Sequence, residues 1–349
     1  MVLPVSGGSF PVQMAIVSQL CRVSPKYRPD LVLGSSGGNV TAYVSLAADW
    51  CPESIERICR SLNSNLFVIS WWPNGFQLFP SWFIGFFKGS SYNLSPNGLV
   101  FFCDLFSPSN IVRTEIWTGV TNKTCSKAQF FCNRTRKDSI IKADFNCGLF
   151  GCLPAVYLDG KLEDIGKVSI ASAAIPTVIP AQVIADTCYS DGGSTYASPL
   201  TCMQDILHGT ENHYGPGLHL TYISCIDLEL DENNAWGNIL HGARRSVWEM
   251  SKSMSLQDRL AAVELLRFKD ERLHYKNGSA PLETMQQIEE LRVKVQRTIV
   301  EYYPKENYEL SLESFTGEEV VKAMEKAKGI ICYRIWWIGS FSAFDQLKS

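Results

Sequence analysis

Apolar and polar positions along the N-terminal third alternate between two periods. Val2, Leu3 and Val5 form a short apolar run that ends in Ser6-Gly7-Gly8. Over residues 11–21, Val12, Ile16 and Leu20 recur at the spacing of one helix face, which predicts a helix. Residues 31–33, Leu-Val-Leu, predict a second buried strand, and 39–48 a second helix after another glycine turn. Strand, glycine turn, helix, repeated, is the rhythm of a parallel α/β sheet. Periodicity is poor over 61–96. Strands are then expected at 111–120, 128–132 and 155–158, a helix of small residues at 168–174 stopped by Pro176, and a strand at 218–226.

The C-terminal third carries longer helical stripes. Trp236, Leu240, Ala243, Val247, Met250 and Met254 lie on one helix face, and 256–268 extends it or opens another helix. Residues 291–300 fit both periods. Residues 308–312 alternate like a strand. Thr316 and Glu319 have the spacing of a capping box, and Gly329 closes the helix they open. No linker, repeat or low-complexity tract interrupts the chain. One domain over 1–349 is expected, with its motif-bearing core at about 1–200 and a helix-rich part at about 230–349.

Composition narrows the functional classes. The chain has 349 residues, 46% of them hydrophobic and 19% charged, enough for a sizeable core. A net charge of −3 gives no electrostatic footprint for a nucleic-acid backbone, so no nucleic-acid partner is expected. The twelve cysteines form no C-x-x-C pair and lie at no zinc-finger spacing to histidine, so buried thiols are expected rather than a disulfide framework or a metal site. Asn122-Lys123-Thr124 and Asn133-Arg134-Thr135 match glycosylation sequons. The N-terminus lacks the basic and apolar regions of a signal peptide. The uncharged, aromatic stretch 61–87 is broken by Pro73, Gly75 and Pro80, and the apolar tail is interrupted by Arg334, so neither is expected to span a membrane. A cytoplasmic location is the expectation.

Three glycine turns carry the candidate chemistry. Gly34-Ser35-Ser36-Gly37-Gly38 fits G-x-S-x-G, in which a serine projects from a sharp strand-to-helix turn whose neighbours must be small. The N–H groups at the start of the following helix favour an oxyanion beside Ser36. Taken alone, the pattern is also that of an ordinary tight turn. Ser6-Gly7-Gly8-Ser9 follows the first strand, at the sheet edge where α/β proteins bind ligands, and is either an oxyanion loop or a plain strand-to-helix turn. Asp191-Gly192-Gly193 is either a base held against the serine or a common Asp-Gly turn. The five histidines, His208, His213, His219, His241 and His274, have no distinctive setting as an alternative base. Too few strands precede Ser36 for the elbow of an α/β-hydrolase.

These three motifs, in this order, resemble the patatin-like phospholipase family. Ser6-Gly7-Gly8 resembles its oxyanion loop, Gly34-x-Ser36-x-Gly38 its nucleophile elbow, and Asp191-Gly192-Gly193 its D-G-[GA] motif. Residues 171–184, ASAAIPTVIPAQVI, resemble the small-residue helix and A-x-P turn that precede that motif. The family's loop usually continues G-G-G-x-[RK]-G, whereas here Phe10 replaces the cation and Pro11 the last glycine. The resemblance implies a three-layer α/β/α fold with a central, mostly parallel sheet. It implies a Ser36–Asp191 dyad, with N–H groups of Gly7, Gly8 and Gly37 around the oxyanion and Gly34, Gly38, Gly192 and Gly193 shaping the turns. It also implies a phospholipid or other lipid ester as substrate, transient contact with a membrane surface, and no metal or cofactor. The aromatic run 67–87 is the expected interfacial surface or else a satellite core. Trp336-Trp337 is expected in the core. A catalytically weak lipid-binding protein on the same scaffold and a small-ester esterase are the alternatives.

Overall fold

In the computed structural model the first apolar run forms β1 (Val2–Leu3), and a 3-10 turn (Gly7–Ser9) leads into α1 (Phe10–Val23). The structure describes residues 1–24, 27–69, 93–94, 96–105, 113–140, 153–176, 179–195, 218–225, 273–295, 297–306, 308, 310, 315–338 and 347. Pro11 lies in the first turn of α1, where a missing N–H costs nothing and a fixed φ favours the helix. Val12, Met14, Ala15, Ile16, Val17 and Leu20 of α1 are all fully buried, so this helix has no wide solvent face. β2 (Leu31–Ser35) and α2 (Gly37–Ala47) complete the second unit. α3 (Pro52–Ser61), which the sequence pattern did not single out, also starts on a proline and buries Ile55 and Cys59. α4 (Ser64–Phe67), β3 (Val68–Ile69), β4 (Asn93–Leu94) and α5 (Pro96–Leu105) follow.

The expected strands in the middle of the chain form as β5 (Glu115–Asn122), β6 (Lys127–Cys132) and β7 (Val156–Tyr157). The small-residue helix is α6 (Leu162–Ser172). It starts six residues before the predicted bound, because Glu163 and Asp164 favour a helix N-terminus that an apolar-residue criterion overlooks. β8 (Gln182–Ile184) and β9 (Thr187–Asp191) make a hairpin, and β10 (Leu218–Ile223) is the next strand. β11 (Leu273–Ser279) then precedes α7 (Leu282–Arg292) and β12 (Arg297–Pro304), so the ambiguous 291–300 stretch divides between a helix end and a strand. α8 (Gly317–Lys328) has its predicted capping box, with Glu319 N–H donating to Thr316 Oγ1 and Thr316 N–H to Glu319 Oε2. β13 (Ile331–Ile338) ends the described elements.

Among the described residues, eleven strands form one mixed sheet in the order β11-β13-β12-β10-β1-β2-β5-β6-β7, with β9 also on β5 and β8 on β9. The centre, β12-β10-β1-β2-β5, is wholly parallel, and antiparallel strands extend both flanks. Helices flank the sheet, consistent with the α/β/α arrangement expected. The apolar core is continuous from Leu3, Val32 and Ile116 to Val300, Val320 and Ile335, so strands and helices from both ends of the chain share it. Trp336 and Trp337 lie in β13 and are buried, Trp337 stacked on His274 at 5.2 Å between centroids. The expected helices at 236–254 and 256–268 and the aromatic run from 70 onward lie outside the described residues. Among the described residues no helix is long and apolar enough to cross a membrane.

Strand β5 takes partners on both edges, and its start is tied down by a buried carboxylate. Glu115 is fully buried and accepts from Trp117 Nε1 at 2.6 Å, from Ser139 Oγ at 2.9 Å and from the Ile140 N–H. Asn133, which falls in a sequon, is fully buried and bridges the same strand, accepting from the Ile116 N–H and donating to the Thr114 carbonyl. Its side chain is thus committed to the sheet. Removing the carboxylate in Glu115→Ala leaves several buried donors without that acceptor. The variant is expected to lose about 3–5 kcal/mol of stability, measured by chemical denaturation.

Candidate active site

Two strands end head to head on one edge of β5. β2 runs parallel to β5 and covers its first part, with Leu31 opposite Glu115 and Ser35 opposite Gly119. β9 runs antiparallel and takes over the same edge at the next residue, with Asp191 opposite Val120. The C-terminal ends of both strands therefore meet at the Gly119–Val120 step. Ser36 is the first residue past β2, and Asp191 the last of β9.

Ser36 adopts φ 54° and ψ −131°, a conformation that side-chain-bearing residues rarely hold and that costs about 1–3 kcal/mol. Its backbone is held from two sides. The Ser36 N–H donates to Ser172 Oγ at 3.0 Å, and Ser172 Oγ donates to the Gly119 carbonyl at 2.7 Å. The Asn39 and Val40 N–H groups donate to the Ser36 carbonyl and start α2. The side chain then points at the aspartate: Ser36 Oγ donates to Asp191 Oδ2 at 2.6 Å. The other carboxylate oxygen, Oδ1, accepts from the Gly193 N–H at 2.6 Å. Asp191 is fixed through its backbone as well, by its N–H to the Ala174 carbonyl and by Thr121 Oγ1 to its own carbonyl. Ser36 and Asp191 are 3% and 5% exposed. That burial pushes the Asp191 carboxyl up from 3.8 to about 6, against the hydrogen bonds from Ser36 and Gly193, which pull it down.

The glycines sit where backbones come too close for a side chain. A Cβ on Gly38 would lie 2.2 Å from the Leu3 carbonyl oxygen and 2.4 Å from that of Pro4. One on Gly192 would lie 2.3 Å from Ser35 Oγ and 2.4 Å from the Gly119 oxygen. The loop after β1 crosses over both motifs. Ser6 Oγ and the Gly7 carbonyl stand 2.4 and 3.0 Å from the Cβ position of Gly37, and Val5 Cγ2 stands 3.1 Å from that of Gly193. Gly34 lies within β2 opposite Thr118, and its Cβ position is 3.0 Å from Asn39 Cα. The three expected turns, from Gly7 and Gly8, through Gly34 to Gly38, to Asp191 to Gly193, thus form one constellation.

Gly7 and Gly8 belong to the 3-10 turn, in which the Ser9 N–H donates to the Ser6 carbonyl and the Phe10 N–H to that of Gly7. The N–H groups of Gly7 and Gly8 have no acceptor within the turn, and those of Gly37 and Gly38 none within α2. The Ser36 N–H is occupied by Ser172. Ser172 was not singled out in the sequence. Its one signal was membership of the small-residue helix before the Asp191 turn. Of the histidines, His219 contacts Thr298 at the opposite end of β10 and His274 stacks on Trp337, while His208, His213 and His241 lie outside the described residues. Among the described residues no group of three or more His, Cys, Asp or Glu is placed to hold a metal ion.

The model of the patatin-like phospholipase family matches residues 7–201, more than half of the chain. This chain belongs to the patatin-like phospholipase family. No curated protein matches it. The matched stretch runs from Gly7 of the glycine loop through the elbow to just past the Asp191 turn, so all three motifs but for Ser6 fall inside it. The family is one of lipid acyl hydrolases. β10 to β13 lie beyond the match yet continue the same sheet.

The closeness of Gly38 to the first loop makes it a sensitive position. Gly38→Ala must displace backbone carbonyls of residues 3 and 4, not a flexible side chain. A loss of about 1–3 kcal/mol is expected in denaturant unfolding.

Proposed function

We propose that this patatin-like phospholipase hydrolyses acyl esters of phospholipids or related lipids by a Ser36–Asp191 dyad. The observation that carries the reading is the 2.6 Å hydrogen bond from Ser36 Oγ to Asp191 Oδ2, made from a strained elbow inside the matched family region. A serine hydroxyl is a weak nucleophile without a base in hydrogen-bond reach, and this carboxylate is in reach. Its acidity supports the role: a group near 6 is ionised at neutral pH yet binds a proton more readily than an exposed aspartate.

In the proposed reaction Ser36 Oγ attacks the ester carbonyl as its proton passes to Asp191 Oδ2. The carbonyl oxygen gains the negative charge, and N–H groups of Gly7, Gly8 and Gly37 stabilise it. The tetrahedral adduct collapses, and the leaving alcohol takes the proton from Asp191. Water then attacks the acyl-Ser36 ester and gives a proton to Asp191. Collapse releases the carboxylic acid, and the proton returns to Ser36 Oγ. The whole chain acts as one domain in this reading, supported by the single sheet and shared core. Contact with a membrane surface follows from the lipid class of the substrate.

Ser36→Ala and Asp191→Asn are each expected to lower kcat on a lipid ester by at least about 10³-fold, and Ser36→Ala to abolish labelling by a fluorophosphonate. Full activity in Ser36→Ala overturns the dyad, and a well-folded protein that never labels at Ser36 favours a lipid-binding role instead.

Because Asp191 must be ionised to accept the proton, kcat is expected to fall as pH drops through about 6. The same shift has a stability consequence with the opposite sense. The folded state binds the Asp191 proton more tightly than the unfolded chain, so this group costs stability above about 6 and the cost disappears as pH falls towards the unfolded value. Asp191→Asn is therefore expected to melt no lower than the wild type at pH 8, and to lose any advantage in acid. Parallel calorimetric melts at two pH values check this.

A further inference from the structure

The family match ends at residue 201, but the oxyanion loop is braced by residues far beyond it. The Leu310 N–H donates to the Gly8 carbonyl at 2.9 Å. The N–H of the same Gly8–Ser9 peptide donates to the Ser6 carbonyl at 2.8 Å. Both polar ends of that peptide are therefore engaged, one inside the turn and one by the distant segment. A peptide held at both ends cannot rotate without breaking two hydrogen bonds.

The next residue along the loop, Phe10, is contacted by Phe315. Phe10 stands where the family pattern has a cation, and its ring meets the Phe315 ring edge to face, 5.7 Å between centroids at 65°. Both rings are buried, each 4% exposed. Phe315 is itself anchored. Its carbonyl accepts from the Ser64 N–H at 3.0 Å, and it immediately precedes the capping box of α8. α8 in turn is seated on α3, where a Cβ on Gly317 would fall 1.9 Å from the Arg60 carbonyl oxygen and Arg60 pairs with Glu318. Phe315 thus stands at the start of a helix that is packed on α3.

We propose that Leu310 and Phe315 are positioning residues for the oxyanion loop, which they hold by a backbone hydrogen bond and an aromatic contact. The inference rests on the proposed acyl hydrolysis and adds a part of the chain outside the family match to its machinery. The loop has two jobs that demand a fixed shape: its N–H groups must face a charge that exists only in the transition state, and it must not reorganise to do so. Loosening the brace therefore removes rate rather than substrate binding.

The test compares kcat and KM on p-nitrophenyl butyrate for wild type, Phe315→Ala, Phe315→Leu, Leu310→Pro and Leu310→Ala. Phe315→Ala is expected to lower kcat by about 10²-fold with KM within about twofold, as a misplacement of order 1 Å does. Phe315→Leu restores most of the rate. Leu310→Pro, which removes the donor N–H, lowers kcat well below that of Leu310→Ala, which keeps it. The pH midpoint of kcat stays at its wild-type position in every variant, because the dyad is untouched. A wild-type kcat in both Phe315→Ala and Leu310→Pro overturns the proposal, and so does a loss in which kcat, KM and the pH midpoint all move together. Should Phe315→Ala fail to fold, the Leu310 pair decides the matter. Ser36→Ala separates the two readings: if it stays active the dyad fails, and if it is dead while the brace variants keep full kcat only the brace fails.

Discussion

The site depends on the edge of β5. That one strand supports β2 and β9 in succession on the same side, so Ser36, leaving one, and Asp191, ending the other, are brought to adjacent residues of a common template. No side-chain contact alone places Ser36 and Asp191 within hydrogen-bond distance. The ladder does, because a shift of one residue in either pairing turns every side chain to the other face and moves its end by a full residue. The buried anchors at the start of β5, Glu115 and Asn133, sit where they hold that template in register. Fold and chemistry share a single constraint here.

Holding the pair there costs the fold energy in two ways. Ser36 sits at a positive φ, and Asp191 is a carboxylate taken almost wholly out of water. Each would relax if free to do so: the serine by flattening its turn, the aspartate by rotating to solvent or keeping its proton. The surroundings prevent both. Ser172 holds the Ser36 N–H, Gly193 holds the second carboxylate oxygen, and Ala174 and Thr121 hold the Asp191 backbone. The strained backbone turns the buried serine side chain onto Asp191, and burial raises the affinity of that carboxyl for a proton.

Much of this was legible along the chain because the motifs are backbone demands written as glycines. Gly38 must be glycine because carbonyls of residues 3 and 4 pass within van der Waals distance of it, and Gly192 because it faces Ser35 and Gly119. A contact of that kind leaves its mark at a single position, without reference to the partner. The first two strand-and-helix units were equally visible, since each is local and strongly periodic. What stayed hidden is non-local. The head-to-head pairing on β5 joins residues about 70 apart, and its partner Ser172 looks like any other small residue of a helix. The C-terminal strands β11, β12 and β13 carry residues such as Tyr275, Glu301 and Arg334 whose alternation is blurred, because β12 is covered on both faces and the Arg334–Glu301 pair lies inside the sheet at 3.4 Å. Residues 291–300 fitted both periods because a helix end and a strand start occupy the same ten positions.

The departure at Phe10 and Pro11 changes meaning once the packing is known. A cation in such a glycine loop has to be held by charge partners or solvent, and its position responds to both. An aromatic ring at the same place has no such partners and is held only by neighbouring apolar surface. The change from cation to Phe10 therefore requires a counterpart surface, and the chain supplies one from Phe315, at the entrance to α8. Pro11 fits the same logic, since it commits the residues after the loop to helix from the first turn of α1. Both residues are buried and build the loop into the core. In this chain the glycine loop is less an appendage reaching over the elbow than the meeting point of β1, α1 and the segment that opens α8.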